Sequence, residues 1–274
     1  MKAKTQSGFT LIELSVVLAM AGLLSAVLAP GLARTQVGSR SAQCVNHLRE
    51  LTLGWHQYAE DNNGGLLDCV DGSARPNWVT GNLDFSGSNS SNWDTNRDLV
   101  KSPLWGYVGG APSVFRCPAD PATVINNGVR RPRVRSISMS HVFGAGAWLD
   151  RSYNPNQKVW RTYQVLGSII RPTQTFVFAD EHPDSMNDSA LSSACTGNQP
   201  GDSPGVSSII DYPANYHNGA CGFSFADGHA DIHKWLGNKI ARMPTTFTAI
   251  PLNVAALDSW VDMHWLAANT TVRN

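Results

Sequence analysis

Gly8-Phe9-Thr10-Leu11-Ile12-Glu13-Leu14 opens a run that continues SVVLAMAGLLSAVLAPGLA to Ala33, and this stretch decides how the rest of the chain is read. From Leu14 to Ala33 there are twenty residues without a charge, close to the ~20 that a helix needs to cross ~30 Å of hydrocarbon. Lys2 and Lys4 precede it with no acid among the first eight residues, a flank that stays on the cytoplasmic side and directs the remainder of the chain across the membrane. A cleavable secretory signal has the same basic start and apolar stretch. Two features separate the sequence from one. Glu13 sits inside the start of the apolar run, where a carboxylate costs on the order of 2.5–3.5 kcal/mol at mid-membrane and needs a compensating partner. The small-x-small tripeptide Ala19-Met20-Ala21 lies in the middle of the run rather than after it.

These residues, GFTLIEL, resemble the processing signal of type IV prepilins and of the pseudopilins of type II secretion systems. The resemblance implies cleavage after Gly8 by a prepilin peptidase, methylation of the new amino terminus at Phe9, and retention of Glu13. It also implies assembly with other pilin or pseudopilin subunits at an inner-membrane assembly platform, the globular part lying in the periplasm before the subunit joins an envelope or surface filament. Physical chemistry gives Glu13 its part: in a staggered bundle its carboxylate meets the charged amine of a neighbour's Phe9, so each buried charge is compensated. Loss of residues 1–8 removes two lysines and leaves 19 basic against 21 acidic side chains.

Working outward, Pro30-Gly31 is expected to kink or loosen the helix. Beyond it Cys44, His47 or Leu48, Leu51, Trp55 and Tyr58 recur at intervals of three and four, an apolar stripe that packs on a sheet. Asp61-Asn62-Asn63-Gly64-Gly65 is a helix stop with left-handed-tolerant residues. The expected segments are a leader at 1–8, a membrane or filament-core helix at 9–33, the second half of the same helix at 34–62, and a globular part at 63–274. Within the last, a short strand is expected at Trp78–Thr80, a short helix in Thr95–Tyr107, and strands at Val134–Val142 and Thr175–Ala179. Asp227-Gly228 reads as a two-residue turn. It sets Ala226 opposite His229, Phe225 opposite Ala230 and Phe223 opposite Ile232, leaving Ser224, His229, Asp231, His233 and Trp235 on a second, polar face. Leu257, Trp260, Val261, His264 and Trp265 fall at helical spacing near the end. The expected fold is α+β and pilin-like: a long amino-terminal helix, its first half transmembrane, packed on an antiparallel sheet with long loop insertions. Cys44–Gly65, Phe115–Pro121 (FRCPADP) and His217–Gly228 extend the resemblance to large pilin-like proteins with a carboxy-terminal His-X9-Asp-Gly element, here His217, nine residues, then Asp227-Gly228.

Composition narrows the function. The 274 residues carry 21 Lys+Arg and 21 Asp+Glu, so no basic excess steers the chain to nucleic acid. Arg130, Arg131, Arg133 and Arg135 read as a solvated strand edge guarded by charge rather than as a phosphate site. Trp78, Trp93, Trp105, Trp148 and Trp160 lie in Gly/Asn-rich segments, where packing the loops down is favoured over a glycan platform. No His-Glu-x-x-His or phosphate-binding loop occurs, and no enzymatic activity is expected.

Acids and histidines gather in two places, Asp180-Glu181-His182-Pro183-Asp184 and His217 with the hairpin. The candidate metal ligands are Asp180, Asp184, His217, Asp227 and His229; His229, Asp231 and His233 alternate on one strand face and suit zinc or a harder cation. The alternative is a plain polar sheet face with Asp227 serving its turn. Some major pseudopilins hold calcium in this region, so Ca2+ on Asp180, Asp184, Asn187 and Asp188 is the ion the resemblance implies, although their spacing matches no standard calcium loop. Five cysteines contain no CxxC pair. Export to an oxidising compartment permits disulfides, and Cys44 with Cys117 and Cys195 with Cys221 are the pairings considered. The rival to a filament subunit is a membrane-anchored binding protein for glycan or metal that uses the same processing.

Overall fold

The computed structural model describes residues 11–71 and 73–274; within the first helix, the side chains at 21, 22 and 24–37 are outside that description. The processing positions Gly8 and Phe9 lie outside the described residues. The chain divides into two compact units, Met1–Ser39 and Arg40–Asn274.

Helix α1, Leu11–Asp61, continues as helix through Pro30-Gly31, the site of the expected kink or loosening. In the first unit its described residues Leu11, Ile12, Leu14, Val16, Val17, Leu18, Met20 and Leu23 are all exposed. A helix apolar around its circumference needs lipid or other helices to cover it. Among the described residues no helix is long and apolar enough to cross a membrane.

The second unit is built on the other end of the same helix. Cys44, Leu48, Leu51, Trp55 and Ala59 are fully buried, and Tyr58 packs beside them. Of the two options at the second stripe position, Leu48 is the one enclosed. The stop is as the sequence indicates: Asn63 and Gly64 take positive φ (56° and 79°), and the Gly64 N–H reaches back to the Ala59 carbonyl at 2.7 Å, closing a left-handed cap.

The main sheet has five strands in the order β5-β3-β4-β7-β8: β3 Ile137–Ser140, β4 Phe176–Asp180, β5 Ala190–Leu191, β7 Ala220–Phe225 and β8 Ala230–Lys234. All neighbours are antiparallel except β3 and β5, which run parallel, so the sheet is mixed rather than purely antiparallel. Two-stranded pairs flank it: β1 Thr123–Asn126 with β2 Val129–Pro132, and β6 Ser208–Ile209 with β9 Val254–Ala255. Short helices α2, Asn238–Ala241, and α3, Trp260–Ala268, complete the unit. The second half of α1 covers one sheet face, where Gly222 and Ser224 let it approach closely. The aromatic residues Phe223, Phe225 and Trp235 cluster on the other with Met263 and Leu266 of α3.

The β7–β8 register differs by one residue from the two-residue-turn expectation. Ser224 pairs with Ala230, Phe223 with Asp231, Gly222 with Ile232 and Cys221 with His233. The loop is three residues, Ala226-Asp227-Gly228, with Gly228 at φ 95° and its N–H on the Phe225 carbonyl at 2.9 Å, the turn-plus-left-handed-glycine form. A one-residue slip exchanges faces. His229, Asp231 and His233 therefore share a face with Phe223 and Phe225 instead of forming a separate polar one.

Other local expectations are corrected too. Trp78–Thr80 forms no strand; only Asp68 and Asn77 bridge, and the fully buried Trp78 donates its indole N–H to the Ser189 carbonyl at 2.9 Å. Thr95–Tyr107 contains one 3-10 turn, Leu99–Lys101, rather than a helix. The basic run is split. Arg130 and Arg131 are exposed on β2, whereas Arg133 and Arg135 are buried. Arg133 donates to the Pro183 carbonyl and lies over the Phe85 ring; Arg135 donates to the Gly81 and Asp188 carbonyls. The reason is that the chain leaves the exposed hairpin at Pro132 and turns under the 80s and 180s loops, whose carbonyls have no strand partners and take the guanidiniums.

Candidate functional site

Four elements of the second unit deliver one polar side chain each to a single buried point. Cys44 comes from α1, Cys117 from the Arg116-Cys117-Pro118 turn, Asp180 from the end of β4, and His217 from the turn before β7. Their ligand atoms all lie within 4.8 Å of one another and all four residues are buried. The Cys44 thiol meets Asp180 Oδ2 at 2.8 Å, Cys117 Sγ meets His217 Nε2 at 3.3 Å, and His217 Nε2 stands 3.6 Å from Asp180 Oδ2.

The sequence builds this point locally. Cys44 begins the buried stripe of α1, so its side chain is committed to the sheet. Asp180 is the last residue of β4; its main chain is tied by Ala214 N–H to its carbonyl at 3.0 Å, and the Cys221 thiol donates to the same carbonyl at 3.2 Å. The Cys117 N–H donates to Ser136 Oγ at 2.8 Å, and the Ala119 N–H points at Cys117 Sγ at 3.4 Å. Ser41 Oγ holds His217 Nδ1 at 3.0 Å, which presents Nε2 to the cluster. Gly222 forms the floor: a Cβ there would lie 2.9 Å from Cys44 Sγ and 3.1 Å from Asp180 Oδ2.

Electrostatics follow from burial. Hydrogen bonding to Cys117, burial and the Asp180 charge all push the Cys44 thiol up, keeping it protonated in the absence of a cation. For His217, burial works against the charged ring, but the hydrogen bonds to Asp180 and Cys117 outweigh it and push it up to about 9. A buried carboxylate, an imidazole and two thiols thus form a closed polar cell that binds protons when no other cation is present.

The remaining sequence candidates lie elsewhere. Asp184 accepts from Thr246 N–H at 2.6 Å, Thr246 Oγ1 at 2.7 Å and Phe247 N–H at 3.0 Å, and so fastens a loop. Asp188 accepts from the Ala190 N–H, and with Asp184 facing away no four-oxygen calcium set forms from Asp180, Asp184, Asn187 and Asp188. Asp227 and His229 pair with each other at 2.6 Å on the exposed turn, His229 stacking on Phe225 at 4.3 Å. His233 stacks on Trp265 at 3.5 Å, and burial takes its pKa down to about 4. The hairpin histidines therefore do not converge with the 180 loop. His217 and Asp227-Gly228, the two ends of the His-X9-Asp-Gly element, have separate tasks, one in the cluster and one in the turn.

All five cysteines are buried free thiols. Cys44 and Cys117 do meet, but as members of the tetrad rather than as a disulfide. Cys195 lies against the Ala267 carbonyl at 3.9 Å and Cys221 against that of Asp180, in different core clusters, so that pairing is not formed. Of the tryptophans, Trp78 and Trp160 are buried, and Trp93 donates to the Gly87 carbonyl beneath Arg131. They pack loops. Sequence reasoning named all four tetrad residues but divided them between a disulfide and a metal reading; the one signal that could have joined them is a glycine, Gly222, between Cys221 and Phe223 in a strand.

Among proteins of known character, no curated protein and no solved structure matches the chain. Residues 3–29 match the family described as Prokaryotic N-terminal methylation motif, and the chain therefore carries a prepilin-like signal.

Proposed function

We propose that this protein is a pilin-like structural subunit: inserted in the inner membrane, cleaved after Gly8 by prepilin peptidase, methylated at Phe9, and drawn by an assembly platform into a type II secretion or type IV pilus-like filament. The observation that carries this reading is the methylation motif at residues 3–29. It is supported by the helix that follows, whose large apolar residues Leu11, Ile12, Leu14, Val16, Val17, Leu18, Met20 and Leu23 are all exposed. In the membrane lipid covers that surface; in the filament neighbouring helices do, and Glu13 sets the axial stagger through the amine of the adjoining subunit's Phe9. The role is structural rather than catalytic. The buried tetrad is closed by its own four groups, with no reacting position open to a substrate. The 19 basic and 21 acidic side chains of the mature chain give no attraction to nucleic acid.

The test is the intact mass and amino-terminal sequence of the protein extracted from native membranes. A chain starting at methylated Phe9 is the expected result. A start at Met1, or beyond Ala21, overturns it in favour of an anchored or secreted binding protein.

A further inference from the structure

We propose that Cys44, Cys117, Asp180 and His217 form a structural zinc site that staples the long helix to the sheet. The inference is independent of the filament reading, since all four residues lie in the second unit.

The donor set selects the ion. Two thiolates, an imidazole and a carboxylate suit a borderline-soft divalent cation in tetrahedral geometry, and thiolates are not ligands for calcium or magnesium. Around one zinc, with bonds of ~2.0–2.3 Å, ligand atoms stand about 3.3–3.8 Å apart. The Cys117–His217 separation of 3.3 Å and the His217–Asp180 separation of 3.6 Å already have this spacing. Cys44 and Asp180, at 2.8 Å, must part by under about 1 Å to admit the ion between them, and the remaining donor pairs stand within 4.8 Å of one another.

The surroundings are those of a metal site. Ser41 Oγ on His217 Nδ1 orients the ring so that Nε2 faces the other donors, the usual device for a ligating histidine. The Ala119 N–H directed at Cys117 Sγ stabilises a thiolate, and Ser136 Oγ lies 3.5 Å from the Asp180 oxygen turned away from the cluster. Gly222 keeps the floor clear where any Cβ would crowd Cys44 Sγ and Asp180 Oδ2. Binding is a proton exchange: Zn2+ enters, the two thiol protons and the imidazolium proton leave to solvent, and the cell carries a net charge of −1. No bond to carbon changes and no oxidant is required. With all four positions filled by protein, the ion is structural, and its binding free energy is realised as cohesion between α1, the 116–118 turn, β4 and the turn before β7. In an oxidising compartment it also keeps Cys44 and Cys117 from pairing.

The experiment uses the untagged full chain, extracted in detergent from cells grown with zinc. Elemental analysis after dialysis is expected to find close to one zinc ion per chain. Exchange for cobalt is expected to give the intense visible bands of tetrahedral coordination with thiolate-to-cobalt charge transfer. Cys117→Ser abolishes both signals, whereas Cys69→Ser and Cys195→Ser, buried thiols outside the tetrad, retain them. Should Cys117→Ser not fold, the wild-type stoichiometry and cobalt spectrum decide alone. Absence of zinc together with absence of the cobalt bands overturns the proposal, as does a Cys44–Cys117 disulfide found by peptide mapping of the unreduced native protein.

Discussion

Gly222→Ala should destabilise the protein although alanine fits strands at least as well as glycine, because the missing side chain is what lets α1 reach the sheet. An added Cβ would lie 2.7 Å from Leu48 Cδ1 and 2.9 Å from Cys44 Sγ, where ordinary contact begins at 3.4 Å. Leu48 has to retreat by roughly 0.7 Å into a packed core, and Cys44 cannot follow freely, since it is held against Asp180. Overpacking of this kind costs about 1–3 kcal/mol. Gly222 has no positive φ, so the substitution also stiffens the unfolded chain and returns about 0.4–1 kcal/mol. The midpoints of the two effects leave a net loss of about 1.3 kcal/mol, which for a domain of this size is a fall of about 3–5 °C in Tm. The assay is a thermal melt of the full chain in detergent, followed by near-ultraviolet circular dichroism with reductant and chelator present. Gly167→Ala is the control: nothing lies within 4 Å of its Cβ and its φ is ordinary, so its Tm should stay level or rise slightly. In a Leu48→Ala background the Gly222→Ala penalty should shrink, because the nearest obstructing atom is gone. A Gly222→Ala protein that melts at or above the wild-type temperature refutes the close-approach argument.

Three further outcomes are expected. Glu13→Val leaves cleavage after Gly8 intact and reduces incorporation into filaments, scored by immunoblot of sheared surface fractions; wild-type incorporation would remove the axial-register role. His141 is buried with its pKa lowered to about 4 by burial, Asp68 opposing, against ~6.5 when unfolded. The unfolded chain takes up that proton first, so this residue erodes stability as pH falls from 6.5 towards 4, by up to about 3 kcal/mol. Burial raises Asp211 to about 7 and Glu181 well above its usual range, and these carboxyls change stability in the opposite sense. The readout is therefore the difference between wild type and His141→Leu in urea melts across that range; parallel pH profiles would show that His141 is not titrating as argued. Arg135→Ala leaves the Gly81 and Asp188 carbonyls without their buried donor and should cost about 3 kcal/mol or more, whereas Arg130→Ala on the exposed hairpin should fall within about 0.5 kcal/mol of wild type. Equal costs would contradict the division of the basic run.

Periodicity carried the helical part of the fold. The stripe from Cys44 to Tyr58, the stop at Asn63-Gly64 and the terminal helix around Trp260 rest on contacts within a few residues, which spacing reports directly. Strand positions were legible to within a few residues at β3, β4, β7 and β8. The β1–β2 hairpin was not read, although Asn127-Gly128, both at positive φ (49° and 77°), is a strong local turn signal. The β7–β8 slip has a different cause. Both registers place apolar residues together on paper, and the choice fell to what lies beyond the sheet, α1 against Gly222 and Ser224 and α3 against Phe223 and His233.

The sequence by itself determined the prepilin-like signal, because that signal is a contiguous run read one residue after another, and it determined the long helix, because helical contacts are local. Tertiary structure alone decided that Arg133 and Arg135 are buried, that the hairpin histidines stand apart from Asp184, and that Cys44, Cys117, Asp180 and His217 meet. Those four residues are 136 positions apart from Cys44 to Asp180 and 100 from Cys117 to His217. No periodicity spans such distances; only the closure of helix, turn and two sheet elements around one core brings their side chains to the same point.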